Sequence, residues 1–179
     1  MFQLRRILDP DYRQGESPEY VVSSAEQVAL ANGLVHTDIQ EIRKLPDRLA
    51  KGTWDQRQEV AAKAVSLVKG EFLADLRYET WATRLQIGVH NEIRARLLPI
   101  AVQSNEAFDI QIALDAATAL VAIDPFDEAA TLALADCLAR SGRRIAARRL
   151  LVRYADQMRS ELDDDPSSTI TEATERLRA

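Results

Sequence analysis

The chain has 179 residues, 46% of them hydrophobic, and its 23 basic and 28 acidic side chains leave a net charge of −5. That length and apolar content suffice for one sizeable core, or one domain with a small appendage. The charge disfavours general nucleic-acid binding, no apolar run reaches the roughly 18 residues of a membrane span, and one cysteine excludes an intrachain disulfide framework.

Residues 2–8, carrying Arg5 and Arg6, read as about two turns of helix stopped by Asp9-Pro10, because proline cannot continue a helix. Tyr20-Val21-Val22 and Val28-Ala29-Leu30 flank the polar stretch 23–27, the pattern of two short strands joined by a turn. Thr37 or Asp38 caps the next helix, with Ile39, Ile42, Leu45 and Leu49 in one stripe, Glu41 as the capping-box partner, and Pro46 kinking or splitting it. Gly52 closes that segment and Thr53 opens another, whose buried side is Val60, Ala64, Val65, Leu67 and Val68, up to Gly70. A long helix over 78–103 sets Trp81, Leu85, Val89, Ile93 and Leu97 at steps of four, with Pro99 bending its last turn. Helices over 106–123, 127–140 and 143–162 follow, divided by Asp124-Pro125 and by Ser141-Gly142, the short link of an antiparallel helix pair. Asp165-Pro166 ends that pair, and Ser167 or Ser168 caps a last helix through Leu177, with Glu172 reinforcing its start.

Asp-Pro recurs after alternate helices, and Ala113, Ala116 and Ala117, then Ala146 and Ala147, permit close helix approach. Stacked helix–turn–helix units of the tetratricopeptide type need both features. The expected fold is therefore all-α, two or three helical hairpin repeats with a small N-terminal β-hairpin.

Little suggests catalysis or a cofactor. His36 and His90 lie on different elements with no Cys or carboxylate at ligand spacing, and Asp163-Asp164-Asp165 lacks the alternating oxygens and glycine of a calcium loop. There is no Gly-rich phosphate loop, nucleophile elbow or Ser, His and acid grouping, so a non-enzyme without metal or cofactor is expected. Cys137, inside an apolar run, reads as a buried, inert thiol of a cytoplasmic chain. Trp54 and Trp81 have apolar neighbours at helical spacing and read as core anchors. The sharpest charge feature is Arg140, Arg143, Arg144, Arg148, Arg149 and Arg153, in which 144/148 and 149/153 project from one helix side. These arginines either neutralise nearby acids such as Asp136, Asp156 and the Asp163 run, or offer Arg144, Arg148, Arg149 and Arg153 to phosphate or an acidic partner.

Gly142-Arg143, Ala147, Glu161-Leu162 and Asp165-Pro166-Ser167 together resemble the bacterial transcriptional activator domain of streptomycete antibiotic regulatory proteins, a tetratricopeptide-like module that follows a winged helix. Residues 124–128 resemble that family's Pro-Leu-x-Glu turn and residues 69–76 its Arg-Gly-x-x-Leu-x-Asp turn. Ala146, Leu151 and Asp163 depart from the family's Glu, Tyr and Gly; losing the glycine, an easy left-handed residue at a helix end, predicts an altered final turn. Residues 4–10 resemble the end of a recognition helix and the 20–30 hairpin resembles the wing, so the resemblance divides the chain into a partial winged helix, 1–35, and the activator domain, 36–179.

The resemblance implies a non-catalytic interaction or oligomerisation region of a transcriptional regulator. Its partner would be RNA polymerase, a sensor domain or another subunit, with a homodimer as one such assembly. Arg5 and Arg6 are its candidate contacts to the DNA backbone, but without a complete recognition helix this chain alone is expected to bind DNA only weakly. Either a longer protein has been truncated or a standalone relative lacks the DNA reader; the second case leaves a tetratricopeptide-like adaptor unrelated to transcription as the rival function.

Overall fold

The computed structural model describes residues 2–24, 26–31, 33–76, 78–102 and 109–178. Among them it is mostly helical, with one two-stranded antiparallel sheet, and the chain divides into two compact units, Met1–Glu41 and Ile42–Ala179.

The first unit holds α1 (Phe2–Leu8), β1 (Val21–Ser23) and β2 (Val28–Leu30). The strands pair Val21 with Leu30, Val22 with Ala29 and Ser23 with Val28. The first strand starts one residue later than the apolar run suggests. The Ala31 N–H still donates to the Tyr20 carbonyl, while Ser24 accepts the Gln27 N–H on its hydroxyl and donates its own N–H to the Gln27 carbonyl, closing a tighter turn. Val21 and Tyr12 form the unit's buried apolar contacts, and Arg5 is folded in beside them: its guanidinium donates to the Tyr12 hydroxyl and Val21 carbonyl and lies 5.5 Å from the Tyr12 ring centroid.

Thr37 caps α2 (Asp38–Arg43) in a reciprocal pair with Gln40, not Glu41, because with Thr37 as N-cap the third helical residue is 40. Pro46 splits the segment: α3 (Leu45–Leu49) begins just before it, where the missing proline N–H has no helical partner to lose. Thr53 and Gln56 form a full capping box on α4 (Trp54–Leu67). A 3-10 turn at Ala74–Leu76 leads to α5 (Thr80–Val102), then α6 (Ile110–Ile123), α7 (Glu128–Arg140), α8 (Arg144–Leu162) and α9 (Ser168–Arg176). The expected start of the sixth helix at 106 lies outside the described residues; Asp109 caps the described part.

From α5 onward each helix packs on the next, and α4 packs on α6, α5 on α7 and α7 on α9, the contact pattern of stacked helical hairpins. Alanines make the close approaches possible: Ala113, Ala116, Ala117, Ala130 and Ala147 are fully buried at the crossings. Larger side chains, among them Leu97, Ile100, Leu120, Leu151 and Ile170, fill the spaces between them.

Two expectations fail on α5 and α4. Trp81 is 57% exposed, Leu85 is exposed with it, and Trp54 at the head of α4 is half exposed, so neither tryptophan anchors the core. The buried stripe of α5 runs through Ala82, Gln86, Val89, Ile93, Leu97 and Ile100, mixing steps of three and four. Strict steps of four advance about 40° each around a helix, so Trp81 sits about 160° from Leu97. Asp163, in contrast, keeps the left-handed turn that the family's glycine would supply: it adopts φ 54° and ψ 35° and donates its N–H to the Met158 carbonyl.

Candidate functional site

The Ser141-Gly142 link positions the head of α8. Gly142 takes φ 77°, which lets the Arg143 N–H turn back onto the Leu138 carbonyl at 2.8 Å and delivers Arg143 and Arg144 at the first turn of α8. Ala147, Leu150, Leu151 and Tyr154 face inward, leaving Arg148, Arg149, Val152 and Arg153 outward. Local rules are broken here. The N-cap Arg143 makes no side-chain cap and the first turn carries no acid, whereas Asp109, Asp127 and Ser167 cap their helices. Cations at a helix N-terminus oppose its dipole, an arrangement that costs a few tenths of a kcal/mol each.

A trough of about 890 Å³ lies between α6 and α8, floored by Leu134 and Leu138 of α7, with Leu114, Thr118 and Leu150 on its walls and Arg143, Arg149 and Arg153 at its rim. A second hollow of about 730 Å³ lies toward the C-terminal end of α9 and shares Arg144, Ile145, Arg149 and Arg153 with the first; Arg148, Val152, Asp156 and Arg178 complete it. Ile145, 72% exposed, stands on the shared ridge.

The acids expected to neutralise these arginines are engaged elsewhere. Asp136 pairs with Arg140, four residues on, while Asp156 and Asp165 both pair with Arg159. Arg144 donates to the Arg176 carbonyl at 3.2 Å. Arg143, Arg148, Arg149 and Arg153 form no ion pair among the described residues. Four planar guanidinium groups, each able to hold a carboxylate or phosphate through two N–H donors, are therefore available beside an apolar floor.

A polar cluster at the head of α7 ties α5, α7, α8 and α9 together, and sequence reading captures it only in part. Asp127 caps α7 through the Ala130 N–H and accepts from both Nε and a terminal nitrogen of Arg94 on α5. Burial opposes its charge, yet the Arg94 hydrogen bond and the Ala130 and Ala129 amides hold its carboxyl below the ordinary aspartate value. The Tyr154 hydroxyl of α8 donates to the Phe126 carbonyl at 3.2 Å, and burial, then the nearby Glu128, Asp124 and Asp127 charges, push its ionisation upward. The Ser167 hydroxyl donates to Glu128, joining α9 to α7. The sequence places a helix start at 127, where Asp127 proves to be the cap; its partner 33 residues earlier is not legible there.

The other expected features are dispersed. Arg6 is exposed, with its Nε bonded to the Pro10 carbonyl, and Arg5 is engaged within its own unit. His36 is exposed, while the Nε2 of half-buried His90 accepts the Phe72 N–H. Cys137 is buried, its thiol 3.6 Å from the Ala101 carbonyl. No group of three potential metal ligands occurs among the described residues, and none of the described helices is long and apolar enough to cross a membrane.

Stacked helical hairpins carrying an open, arginine-rimmed trough define a helical-repeat scaffold. Residues 37–178 match the family described as bacterial transcriptional activator domain, and the chain belongs to that family. No curated protein and no solved structure matches it significantly. The family is a regulatory, transcription-activator domain.

Proposed function

We propose that this chain is the non-catalytic, protein-contacting region of a cytoplasmic bacterial transcriptional regulator of the antibiotic-regulatory type. Family membership supplies the link to transcription. The observation that supports contact through this domain is the row of exposed arginines on α8, of which Arg148, Arg149 and Arg153 form no ion pair among the described residues. Arg144, Arg148, Arg149 and Arg153 form the partner-binding face, and the partner is RNA polymerase, an attached sensor domain or another subunit, a second copy included. Residues 1–35 are the tail of a winged helix in this reading, with Arg5 and Arg6 toward the DNA backbone. The burial of Arg5 leaves most of that task to Arg6.

The test immobilises the chain, passes over it the lysate of a bacterium that encodes it, and identifies retained proteins beside a variant with Arg144, Arg148, Arg149 and Arg153 changed to Ala. Recovery of RNA polymerase subunits, lost in the variant, is the expected result. Reproducible recovery of a different assembly without polymerase would replace the regulator with an adaptor.

A further inference from the structure

We propose that the α6–α8 trough binds an acidic, amphipathic helix of a partner protein, its apolar side chains on Leu134 and Leu138 and its carboxylates on Arg149 and Arg153. The inference rests on the protein-contact reading above and names the chemistry of the contact. Its first support is charge: Arg143, Arg148, Arg149 and Arg153 have no ion pair among the described residues, although Asp156 lies on the same helix. Geometry is the second. Arg149 and Arg153 are one helical turn apart, and residues 143 to 153 rise about 15 Å, the length of about ten residues of a docked helix. The trough, about 890 Å³, is open along this row and adjoins the second hollow, about 730 Å³, at Arg144, Ile145, Arg149 and Arg153, which gives an extended surface for an elongated ligand.

The lining distinguishes among elongated ligands. A nucleic-acid strand is held by basic groups with aromatic side chains for its bases. Among the described residues no aromatic side chain lines either hollow, the floor is leucine, and Asp163-Asp164-Asp165 at the far end of α8 would repel a phosphate backbone continuing past Arg153. A second copy of this chain is also disfavoured. The outer face of α8 presents only Asp156 against Arg148, Arg149, Arg153 and Arg159, and pairing two such faces brings like charges together. An acidic helix with leucine-like residues on one side complements both rim and floor.

The test titrates the chain into three fluorescent probes at about 0.15 M salt, where exposed charges are partly screened. One is a peptide of about 14 residues made of Glu, Leu and Ala, with Leu at helical spacing on one face. The second is its scrambled isomer of equal charge, and the third a DNA duplex of similar length. The helical peptide is expected to bind at least about tenfold more tightly than either control, and Arg149→Glu with Arg153→Glu to weaken it by at least about tenfold. If charge reversal disturbs the fold, seen as lost helical circular dichroism, Arg149→Ala with Arg153→Ala and, separately, Ile145→Ser carry the same prediction. Equal binding of the scrambled isomer, tighter binding of the duplex, undiminished binding by the variants, or no binding of the helical peptide each overturns the proposal. Polymerase recovery that persists in the double variant would remove this trough while leaving the protein-contact reading intact; absence of recovery by the parent chain removes the latter.

Discussion

Asp127 joins two tasks in one carboxylate, so its removal should cost more than an ordinary cap. The side chain belongs to a residue only 8% exposed, accepts the Ala130 N–H at the head of α7, and holds Arg94 of α5. Losing the cap in Asp127→Ala costs about 1 kcal/mol. Losing the Arg94 contact costs about 1 kcal/mol more, discounted from the charge-assisted value because the Arg94 side chain is 45% exposed. The sum is about 2 kcal/mol, a fall of about 1 M in the urea midpoint for a slope near 2 kcal/mol/M. Asp127→Asn keeps an acceptor for Ala130 and should lose about half as much. The pH dependence has a definite sign. Because the folded carboxyl titrates below its unfolded value of about 3.9, its contribution is complete above that pH and fades as pH falls through the lower folded value. Urea titrations at neutral pH and near pH 3 measure both effects. A cost under about 0.5 kcal/mol for Asp127→Ala, or a gap between parent and Asp127→Asn that does not narrow in acid, would refute the reasoning.

Asp163→Gly should raise stability by about 1 kcal/mol, since glycine adopts the left-handed conformation without the Cβ penalty; thermal melts decide it, and a loss contradicts the reading. The Thr131 hydroxyl is buried with no hydrogen-bond partner among the described residues, so Thr131→Val should be neutral or stabilising by up to about 1 kcal/mol in the same melts, and a destabilisation would contradict this. Trp81→Ala should cost under about 1 kcal/mol whereas Leu97→Ala, at a fully buried position, costs about 3 kcal/mol; equal costs would place Trp81 in a core. By itself the chain should bind duplex DNA weakly and only at low salt, as its net charge of −5 dictates, and nanomolar sequence-selective binding in a gel-shift assay at physiological salt would be incompatible with that.

Helix number and order follow from the sequence because Asp-Pro, Ser-Gly and the Thr, Asp and Ser caps are local signals that the chain obeys wherever the structure describes it. Burial is less local. A strict four-residue step selects Trp81 and Leu85, and only the neighbouring helices reveal that the buried face runs through Ala82 and Gln86, where Gln86 donates to the Leu73 carbonyl. The arginine cluster stands out in the sequence at once, but its importance does not, since Asp136, Asp156 and Asp165 are all close enough along the chain to neutralise it. Their engagement with Arg140 and Arg159 instead is a matter of side-chain direction on the helix and of the turn at Asp163. The trough itself is tertiary: Leu114 is separated from Arg153 by the whole of α7, and no period in the sequence brings them together.

That the α8 arginines serve a partner and not the fold is tested most directly by two readings on one variant, Arg144, Arg148, Arg149 and Arg153 all changed to Ala. Its urea stability should stay within about 0.5 kcal/mol of the parent while its capture of purified bacterial RNA polymerase is lost. A stability loss above about 2 kcal/mol, or capture that survives the change, would contradict it.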